Sequence, residues 1–434
     1  MRNLYITLLL IFLGFSSQAQ ELLTLEDAVK IALENNYDIK IAENNAKIDA
    51  TNNNLANAGM LPALNANFVN NNSQIDTKQT QIDGSERELD NAKNMNLTYG
   101  VSLDWTIFDG LSMFARKEQL NVLEQQGKAE LQTAILTRIS DVYTTYFDLV
   151  QQQQVLASID TAIVISNQRL TTAQNRFSIG KASKLEVLNA QVDLNSDLSL
   201  QLRQRELIKI SKIRLNELLV RDTQIDFTVA KEVSFEQNLD FNELKSTAEK
   251  QNPQLQAQIL SKKVADLNLK QVKGNRYPTV RITSGYNFTR SEASLGFITQ
   301  SSGQGFVYGV TATVPIFNGF LQNRNEKVAK YQVENAELLL EQQKLSLTSQ
   351  LASLYASYQT NLELVKVEEK NLEIAKQNLD ITLAKFKIGT ITTIEFRTAQ
   401  QNFVEASVRY SNAQYVTKLS EINLKELAGT LELN

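Results

Sequence analysis

A very long stretch without proline is the feature that most restricts how this chain can fold. It runs from Leu111 to Ser178 and contains a single glycine. At a rise of 1.5 Å per residue, such a stretch predicts a helix roughly 100 Å long. Apolar residues recur in it every seven positions, at Val142, Leu149, Leu156, Ile163, Leu170 and Phe177. Because a seven-residue period is typical of coiled-coil packing, we expect long paired helices rather than a globular core.

The chain also contains an internal duplication, which indicates that one structural plan is used twice. The segment LEDAVKIALENNYDI aligns with FNELKSTAEKQNPQL, and Pro62 aligns with Pro278, both at an offset of 216. YGVSLDWTIFDG from Tyr99 aligns with YGVTATVPIFNG from Tyr308, and RFSIG aligns with KFKIG, both at an offset of 209. The first copy is therefore seven residues longer at one place, which predicts a longer loop there. The second copy repeats the apolar period at Leu351, Tyr358, Val365, Leu372, Leu379 and Phe386.

Each copy predicts the order short helix, helix, strand, loop, strand, very long helix, tight turn and helix. Thr24, with Asp27 three residues later, predicts the cap of the first short helix. Pro62 and Pro278 are expected to end the second helix of each copy, since proline cannot continue a helix. The second strand of each copy alternates between an apolar and a polar face. Its apolar positions are Leu97, Tyr99, Val101, Leu103, Trp105 and Ile107 in the first copy and Phe306, Tyr308, Val310, Ala312, Val314 and Ile316 in the second.

These strands fit the pattern of membrane-spanning β-strands, which are about 9 to 11 residues long and apolar on one face. A soluble β-sandwich would show the same alternation but needs more strands than four. Four strands cannot close a barrel either. Because an open sheet edge in lipid leaves backbone groups unpaired, the strands of one chain need neighbours from other subunits. We therefore expect an oligomer.

The segment that ends at Ala19 has the order of a secretory signal peptide. Arg2 precedes an apolar run from Leu4 to Phe15, and the small-residue segment Ser17-Gln18-Ala19 follows. An uncleaved membrane anchor is the alternative, but the run is shorter than the ~20 apolar residues that a membrane helix needs. We expect an exported protein.

Composition excludes several classes of function. The chain has no His and no Cys, so it lacks the usual proton shuttle, a thiol nucleophile and the commonest ligands of zinc, copper and iron. No cofactor and no metal site are expected. The net charge of −4, without a basic stripe, argues against a nucleic-acid partner.

Two glycine turns separate the long helices from shorter return helices, at Ile179-Gly180-Lys181 and Ile388-Gly389-Thr390. With them, the sequence resembles the TolC-like outer-membrane factors, the outer membrane efflux protein family, over almost the whole mature chain. The resemblance rests on a combination of motifs that occurs twice. Each copy has a Pro-x-Leu/Val strand start, an Ile-Phe-Asp/Asn-Gly strand exit and an Arg/Lys-Phe-x-Ile-Gly turn followed by a glutamate.

The resemblance implies a mainly α fold with a small β part. Three subunits would each give four strands to a 12-stranded outer-membrane β-barrel, and their long helical hairpins would form a periplasmic α-barrel. The implied function is a passive export duct in a tripartite efflux pump or a type I secretion system, with no enzymatic activity. The implied partners are a membrane-fusion adaptor and, through it, an inner-membrane transporter.

The duplication and the resemblance together predict a division of the chain into four segments. These are a signal peptide (1–19), a first repeat (20–220, with a strand hairpin at 63–108 and a coiled-coil hairpin at 111–220), an equatorial linker (221–238), and a second repeat (239–434, with a strand hairpin at 278–317 and a coiled-coil hairpin at 320–428).

The resemblance also assigns the glycine turns to the periplasmic tip, where the adaptor would bind. The residues concerned are Arg176, Phe177, Gly180 and Ser183 in the first copy and Lys385, Phe386, Gly389 and Thr392 in the second. The alternative is that the glycines only turn the chain and the phenylalanines only fill the coil.

Acidic rings close the tunnel in this family. Glu395 lies at the position of the first of these acidic residues, so it is a candidate for the pore constriction. A carboxylate that is present three times around a narrow pore would concentrate cations. The position of the second acidic residue is occupied by Thr398, so the second acidic ring is missing from this chain. Glu186 is the equivalent of Glu395 in the first copy. A solvated charge on a helix surface is the alternative for both glutamates.

Two other classes of protein are alternatives. A structural or adhesive coiled-coil protein of the envelope would explain the heptads and the signal peptide but not the four strands. An enzyme with paired carboxylates is disfavoured, because no such pair, phosphate loop or nucleophile motif stands out. The cargo stays open among drugs, metal ions, siderophores and polypeptides.

Overall fold

The structure is a computed structural model that describes residues 21–296 and 298–431. The predicted signal peptide lies outside the described residues. Most of the described chain is helical, as the sequence predicted. None of the helices in these ranges carries an apolar stretch long enough to cross a membrane.

Fourteen elements follow one another in the described part of the chain. They are β1 (Glu21–Leu23), α1 (Leu25–Asn35), α2 (Tyr37–Asn52), β2 (Ala63–Thr80), β3 (Glu86–Asp109), α3 (Ser112–Ser178), α4 (Lys184–Leu218), β4 (Phe227–Val229), α5 (Phe241–Gln251), α6 (Pro253–Gly274), β5 (Thr279–Ala293), β6 (Gln300–Thr313), α7 (Leu321–Ile388) and α8 (Thr393–Ala428).

The chain divides into two compact units, and each long helix contributes to both. The first unit contains the described residues within Met1–Asn44, Ala129–Gln256 and Gln342–Asn434. The second contains Asn45–Lys128 and Ala257–Glu341.

The second unit holds a four-stranded antiparallel sheet in the order β2-β3-β5-β6. Its strands are 18, 24, 15 and 14 residues long, so the shorter length predicted for them was wrong. The apolar alternation marks only part of each strand. Backbone pairing continues into the polar ends, because the hydrogen-bond ladder does not require apolar side chains.

The prediction of a longer loop in the first copy was also wrong. The connections at the ends of the two strand hairpins are similar, residues 81–85 and 294–299. The additional residues of the first copy extend β2 and β3 instead. In the second copy, β6 ends at Thr313, four residues before the predicted end of the hairpin.

The apolar side chains of the sheet are largely uncovered within one chain. Phe68, Tyr308 and Val310 are exposed, and so is much of β2 and β6. Some aromatic rings cover one another, as where Tyr99 stacks on Phe288 with ring centroids 5.0 Å apart. The described residues therefore supply no second layer that would make these strands a soluble sandwich.

Prolines do not end the second helix of either copy, contrary to the prediction. Helix α2 ends at Asn52, well before Pro62, and α6 ends at Gly274. Asparagine side chains compete for the main chain after α2, where Asn57 Nδ2 donates to the Asn52 carbonyl at 2.9 Å. The predicted cap of the first short helix is confirmed, since Thr24 accepts from the Asp27 N–H. At the strand exit of the first copy, Asp109 accepts from the N–H of Met113 in the first turn of α3.

In the first unit, α3 pairs with α4 and α7 pairs with α8. The buried seams of α3 and α7 contain heptad residues, including Leu149, Leu351, Tyr358 and Leu379. A core that the sequence did not predict surrounds a short parallel pair formed by β1 and β4, in which Phe227 is fully buried. Strand β4 lies in the segment that was expected to be the equatorial linker.

Candidate functional site

The two hairpin turns form the candidate site, and both glycines adopt the left-handed conformation, with φ +75° at Gly180 and φ +84° at Gly389. The N–H of Lys181 donates to the Arg176 carbonyl at 2.8 Å. The N–H of Thr390 donates to the Lys385 carbonyl at 3.1 Å. These bonds close the ends of α3 and α7 in the manner of a glycine C-cap, which explains the shared turn motif.

The return helices begin at matching hydroxyl caps. Ser183 accepts from the N–H of Glu186 at 3.3 Å at the start of α4. Thr392 accepts from the N–H of Glu395 at 3.3 Å at the start of α8. Only the second copy completes a capping box, because the Glu395 carboxylate accepts from the Thr392 N–H at 2.8 Å and from its hydroxyl at 3.1 Å.

Within one chain, the Glu395 carboxylate is therefore engaged as a helix cap. The hydrogen bond from the main-chain N–H of Thr392, together with that from the Thr392 hydroxyl, lowers the pKa of Glu395 from its ordinary value. Lys385 acts in the same direction through its charge. The equivalent Glu186 behaves differently, since its carboxylate lies 3.9 Å from the Arg176 guanidinium.

Arg176 links the two turns. Its Nη2 atom donates to the Phe386 carbonyl at 3.1 Å, and its guanidinium carbon lies 5.3 Å from the centre of the Phe386 ring. Charge-assisted hydrogen bonding and the cation–π contact act together here. The structure thus places the equivalent turns of the two copies side by side.

The two turn phenylalanines have different environments. Phe386 is 1% exposed and stacks on Phe396 with ring centroids 5.0 Å apart. Its equivalent Phe177 is 47% exposed. Phe386 therefore fills the coil, while Phe177 is available at the surface. Of the other predicted site residues, Gly180, Ser183, Lys385, Gly389, Thr392 and Glu395 are exposed or partly exposed, and Arg176 is partly buried.

The surface at the turns is apolar with a basic surround. Ile179, Ile388 and Ile394 are 67%, 75% and 78% exposed. Exposed lysines flank them at Lys181, Lys184, Lys385 and Lys387. Exposed apolar side chains that lie close together are a common feature of interaction surfaces.

A buried ionic network that the sequence did not predict lies behind the turns. Arg169 of α3 donates to Asp193 of α4 at 2.6 Å, and Arg397 of α8 lies 3.5 Å from the same carboxylate. Arg397 also donates to Asp197, at 3.2 Å. Three helices from both hairpins therefore meet through these charges.

Uncharged groups complete the network. Ser166 donates to Asp197 at 2.5 Å, and Gln400 donates to the Ser166 hydroxyl at 2.7 Å. Ser166, Arg169, Asp197 and Gln400 are nearly fully buried. The signal that could have revealed them is the spacing of polar residues on inward faces, three apart on α3 and α8 and four apart on α4.

Two helical hairpins joined to a four-stranded antiparallel sheet with two open edges place the chain in the structural class of outer-membrane channel subunits. The chain aligns with the solved Campylobacter jejuni CmeC outer membrane channel at a TM-score of 0.79, with 17% sequence identity, covering 94% of this chain and 87% of that chain. At this identity the likeness establishes the fold.

Sequence comparison identifies the family. Residues 28–220 and 244–430 match the outer membrane efflux protein family, so the chain belongs to it and is a protein of the outer membrane. It is 22% identical over 310 residues to the outer membrane protein TolC of Escherichia coli, an alignment that covers 69% of this chain and 63% of that protein. It is 18% identical over 339 residues to the outer membrane efflux protein BepC of Brucella suis, covering 77% of this chain and 72% of that protein.

Proposed function

We propose that this chain is one subunit of a homotrimeric channel through which a tripartite efflux pump or a type I secretion system exports its cargo. The channel is a passive duct without catalytic activity. The observation that carries the proposal is the four-stranded sheet, which is open at β2 and β6 and bears uncovered apolar side chains.

Open sheet edges are incompatible with lipid, because unpaired N–H and C=O groups cost several kcal/mol each in a medium without water. Pairing of β6 of one subunit with β2 of the next removes both edges. Three subunits then give twelve strands, the number that the family resemblance implies. The exposed apolar residues of the sheet face the lipid in such a barrel.

The hairpin turns are the proposed contact with the periplasmic adaptor, which joins the channel to an inner-membrane transporter. Support comes from the exposed Ile388 and Phe177 and from the bond that holds the two turns together through Arg176. Gly180, Ser183, Lys385, Gly389 and Thr392 present or shape this surface. Phe386 supports it from inside the coil.

Glu395 is the proposed constriction residue. Its carboxylate is ionised at neutral pH, since its pKa is lowered. Three copies around a narrow opening would attract cations. Replacement of Glu395 by Gln is expected to reduce cation selectivity, and Glu186→Gln serves as the control on the other hairpin. An unchanged current in Glu395→Gln would remove this residue from the constriction.

The decisive experiment is planar-bilayer conductance of the detergent-purified protein, with the oligomeric mass measured on the same sample. We expect a trimer that forms discrete cation-selective channels. A monomer, or a rod that dissolves without detergent, would contradict the proposal and favour a structural coiled-coil protein. Replacement of Gly389 by Val tests the adaptor contact separately, with loss of export expected at an unchanged yield of trimer.

A further inference from the structure

The four-stranded sheet has an apolar face and a polar face, and the strand pairing shows which residues share a face. Residues that lie directly opposite each other on neighbouring strands have their side chains on the same face. Tyr99 is paired with Phe68 on one side and with Phe288 on the other, so these three rings belong to the apolar face. In the proposed barrel the apolar face contacts lipid, and the polar face therefore lines the interior.

The polar face consists almost entirely of uncharged residues. Across the paired stretches 63–73, 94–106, 279–293 and 301–313, all of which the structure describes, its residues are mostly Asn, Ser, Thr and Gly. In these stretches, Asp104 of β3 and Arg281 of β5 are the two charged residues on the polar face. Because the rest of the lining is neutral, these two residues set the sign of the electrostatic potential near it.

Asp104 and Arg281 lie close together, near the end of the sheet that continues into the helices. Asp104 is paired with Thr283, which is two residues from Arg281 on β5. Such diagonal positions on one face are about 7–8 Å apart. Strand β3 ends at Asp109, and α3 begins at Ser112. The two charges are therefore found where the proposed duct enters the barrel.

Neither of these side chains has a hydrogen-bonded or ionic partner among the described residues. Their cross-strand neighbours are small and uncharged: Thr106 and Thr311 for Arg281, and Ala63 and Thr283 for Asp104. Arg281 is exposed, whereas Asp104 is only partly exposed. Since the guanidinium group ends a much longer side chain, it reaches farther from the wall than the carboxylate does.

We infer that three copies of Arg281 form a ring that attracts anions, and anionic groups of the cargo, at the helix-side entrance of the barrel. The inference rests on the homotrimer of the proposed function and adds a second charge-selective position to the duct. Its sign is opposite to the one proposed for Glu395. Asp104 weakens the ring but does not cancel it, because salt screens charges over about 8–10 Å and the carboxylate lies nearer the wall.

Thiol reagents can measure the local potential, since the chain contains no cysteine that would react in the background. Thr311→Cys places a thiol on β6, directly opposite Arg281 on the polar face. The probes are two methanethiosulfonates of similar size, one with a sulfonate group and one with a trimethylammonium group. The rate of the anionic probe divided by the rate of the cationic probe reports the sign of the potential. Both rates are measured on the detergent-purified protein, together with its oligomeric mass.

Arg281→Gln in the Thr311→Cys protein is expected to lower this rate ratio about sevenfold, because the loss of one kT of potential changes the two rates about 2.7-fold each in opposite directions. Asp104→Asn is expected to raise the ratio. Arg290→Gln is the matched control on the same strand. Arg290 lies on the apolar face, opposite Leu97, and its guanidinium is 2.7 Å from Glu292. The ratio should be unchanged in this variant.

Salt provides a test that needs no substitution at Arg281. In the Thr311→Cys protein, the ratio is expected to lie above that of a free thiol at 0.1 M salt. It should approach the free-thiol value at 1 M, where the screening length falls to about 3 Å. A ratio that does not depend on salt would overturn the inference even if Arg281→Gln failed to assemble.

Two results from a trimeric protein would overturn the inference while leaving the proposed function intact. One is an unchanged ratio in Arg281→Gln at 0.1 M salt. The other is an equal change in Arg290→Gln, which would show that charge anywhere on the sheet has the same effect. A monomeric mass for the parent protein would contradict both the ring and the proposed function.

Discussion

The Nη2 atom of Arg176 donates a hydrogen bond to the main-chain carbonyl of Phe386 at 3.1 Å, so that a side chain of one hairpin closes the turn of the other. The second copy has Lys385 at the equivalent position, and its ammonium group cannot offer the planar fork of donors that a guanidinium has. The bridge therefore runs in one direction only. The two turns arose by duplication as separate units, and the bridge joins them into one surface.

Replacement of Arg176 by Met tests this bridge, since Met keeps most of the alkyl stem. We expect the free energy of unfolding to fall by about 1–3 kcal/mol, the usual loss when a charge-assisted hydrogen bond is removed. Thermal unfolding followed by circular dichroism measures the change, and adaptor affinity measured on the same sample should fall as well. For the free energy of unfolding, Lys385→Met is the matched control. An equal loss in both variants would show that general charge, not the bridge, matters.

Alanine at the two turn glycines should have unequal effects. Both positions have positive φ, which costs an L-residue about 1–2 kcal/mol. A Cβ atom at Gly389 would also lie 2.6 Å from Arg176 Nη2, whereas one at Gly180 would meet nothing within 4 Å. Gly389→Ala is therefore expected to lower the melting temperature more than Gly180→Ala. Equal shifts in melting temperature would mean that Arg176 moves aside without a loss of stability. In an Arg176→Met background, the difference between the two alanine variants should vanish.

The capping box of α8 should give part of the stability a pH dependence. The pKa of Glu395 is lowered in the folded chain, so its contribution is complete above the ordinary glutamate pKa and is lost as the pH falls through the lowered value. Glu395→Ala is expected to lower the melting temperature at pH 7 and to leave it nearly unchanged at the acidic end. Melting curves at both pH values measure this. A loss that is the same at every pH would indicate that the carboxylate charge plays no part.

The pH dependence of stability that Glu426 causes should have the opposite sign. Burial raises its pKa in the folded chain, so its contribution to stability is complete below the ordinary glutamate pKa and is lost as the pH rises through the raised value. Glu426→Gln keeps an acceptor for the Thr137 hydroxyl, which lies 3.4 Å away. We expect the variant to melt at a higher temperature than the parent at pH 7, with the difference disappearing below the ordinary pKa. A lower melting temperature at pH 7 would refute the assignment.

The ionic network behind the turns should be sensitive to the loss of one member. Removal of Asp197 leaves Ser166 without its acceptor and Arg397 with only one of its two carboxylate partners. Breaking a mostly buried pair costs about 3–5 kcal/mol. Asp197→Ala is expected to destabilise the helical hairpins by roughly this amount, measured by chemical denaturation. The control is Glu363→Gln, which removes an exposed ion pair with Lys366 and should cost less than about 1 kcal/mol. Similar losses in the two variants would argue against a buried network.

The elements that could be predicted from the sequence are those with local causes. The long helices follow from the absence of proline between Leu111 and Ser178 and from the heptads, and both glycine turns follow from the need for positive φ at Gly180 and Gly389. Thr24 as a cap was also recognisable, because its partner lies three residues away. The strand lengths were underestimated because polar residues continue the hydrogen-bond ladder beyond the apolar positions.

Contacts between distant residues could not be predicted in the same way. Strand β1 lies at the start of the first repeat, and β4 lies in the linker that follows this repeat. Their pairing joins segments that are distant in sequence, and no motif in either strand indicates the other. The network at Asp197 has the same property, since its members come from α3, α4 and α8. The roles of Phe177 and Phe386 also differ although their motifs match, because burial depends on what packs against each ring.

The sequence by itself determined the duplicated plan, the family, the helical hairpins and the positions of their turns, since periodicity, proline and glycine act over a few residues. Only the tertiary structure decided that Arg176 joins the turns and that Phe386 is buried while Phe177 stays exposed. These features depend on which helix faces lie against each other. That choice is made by the packing of the whole unit, and no short segment encodes it.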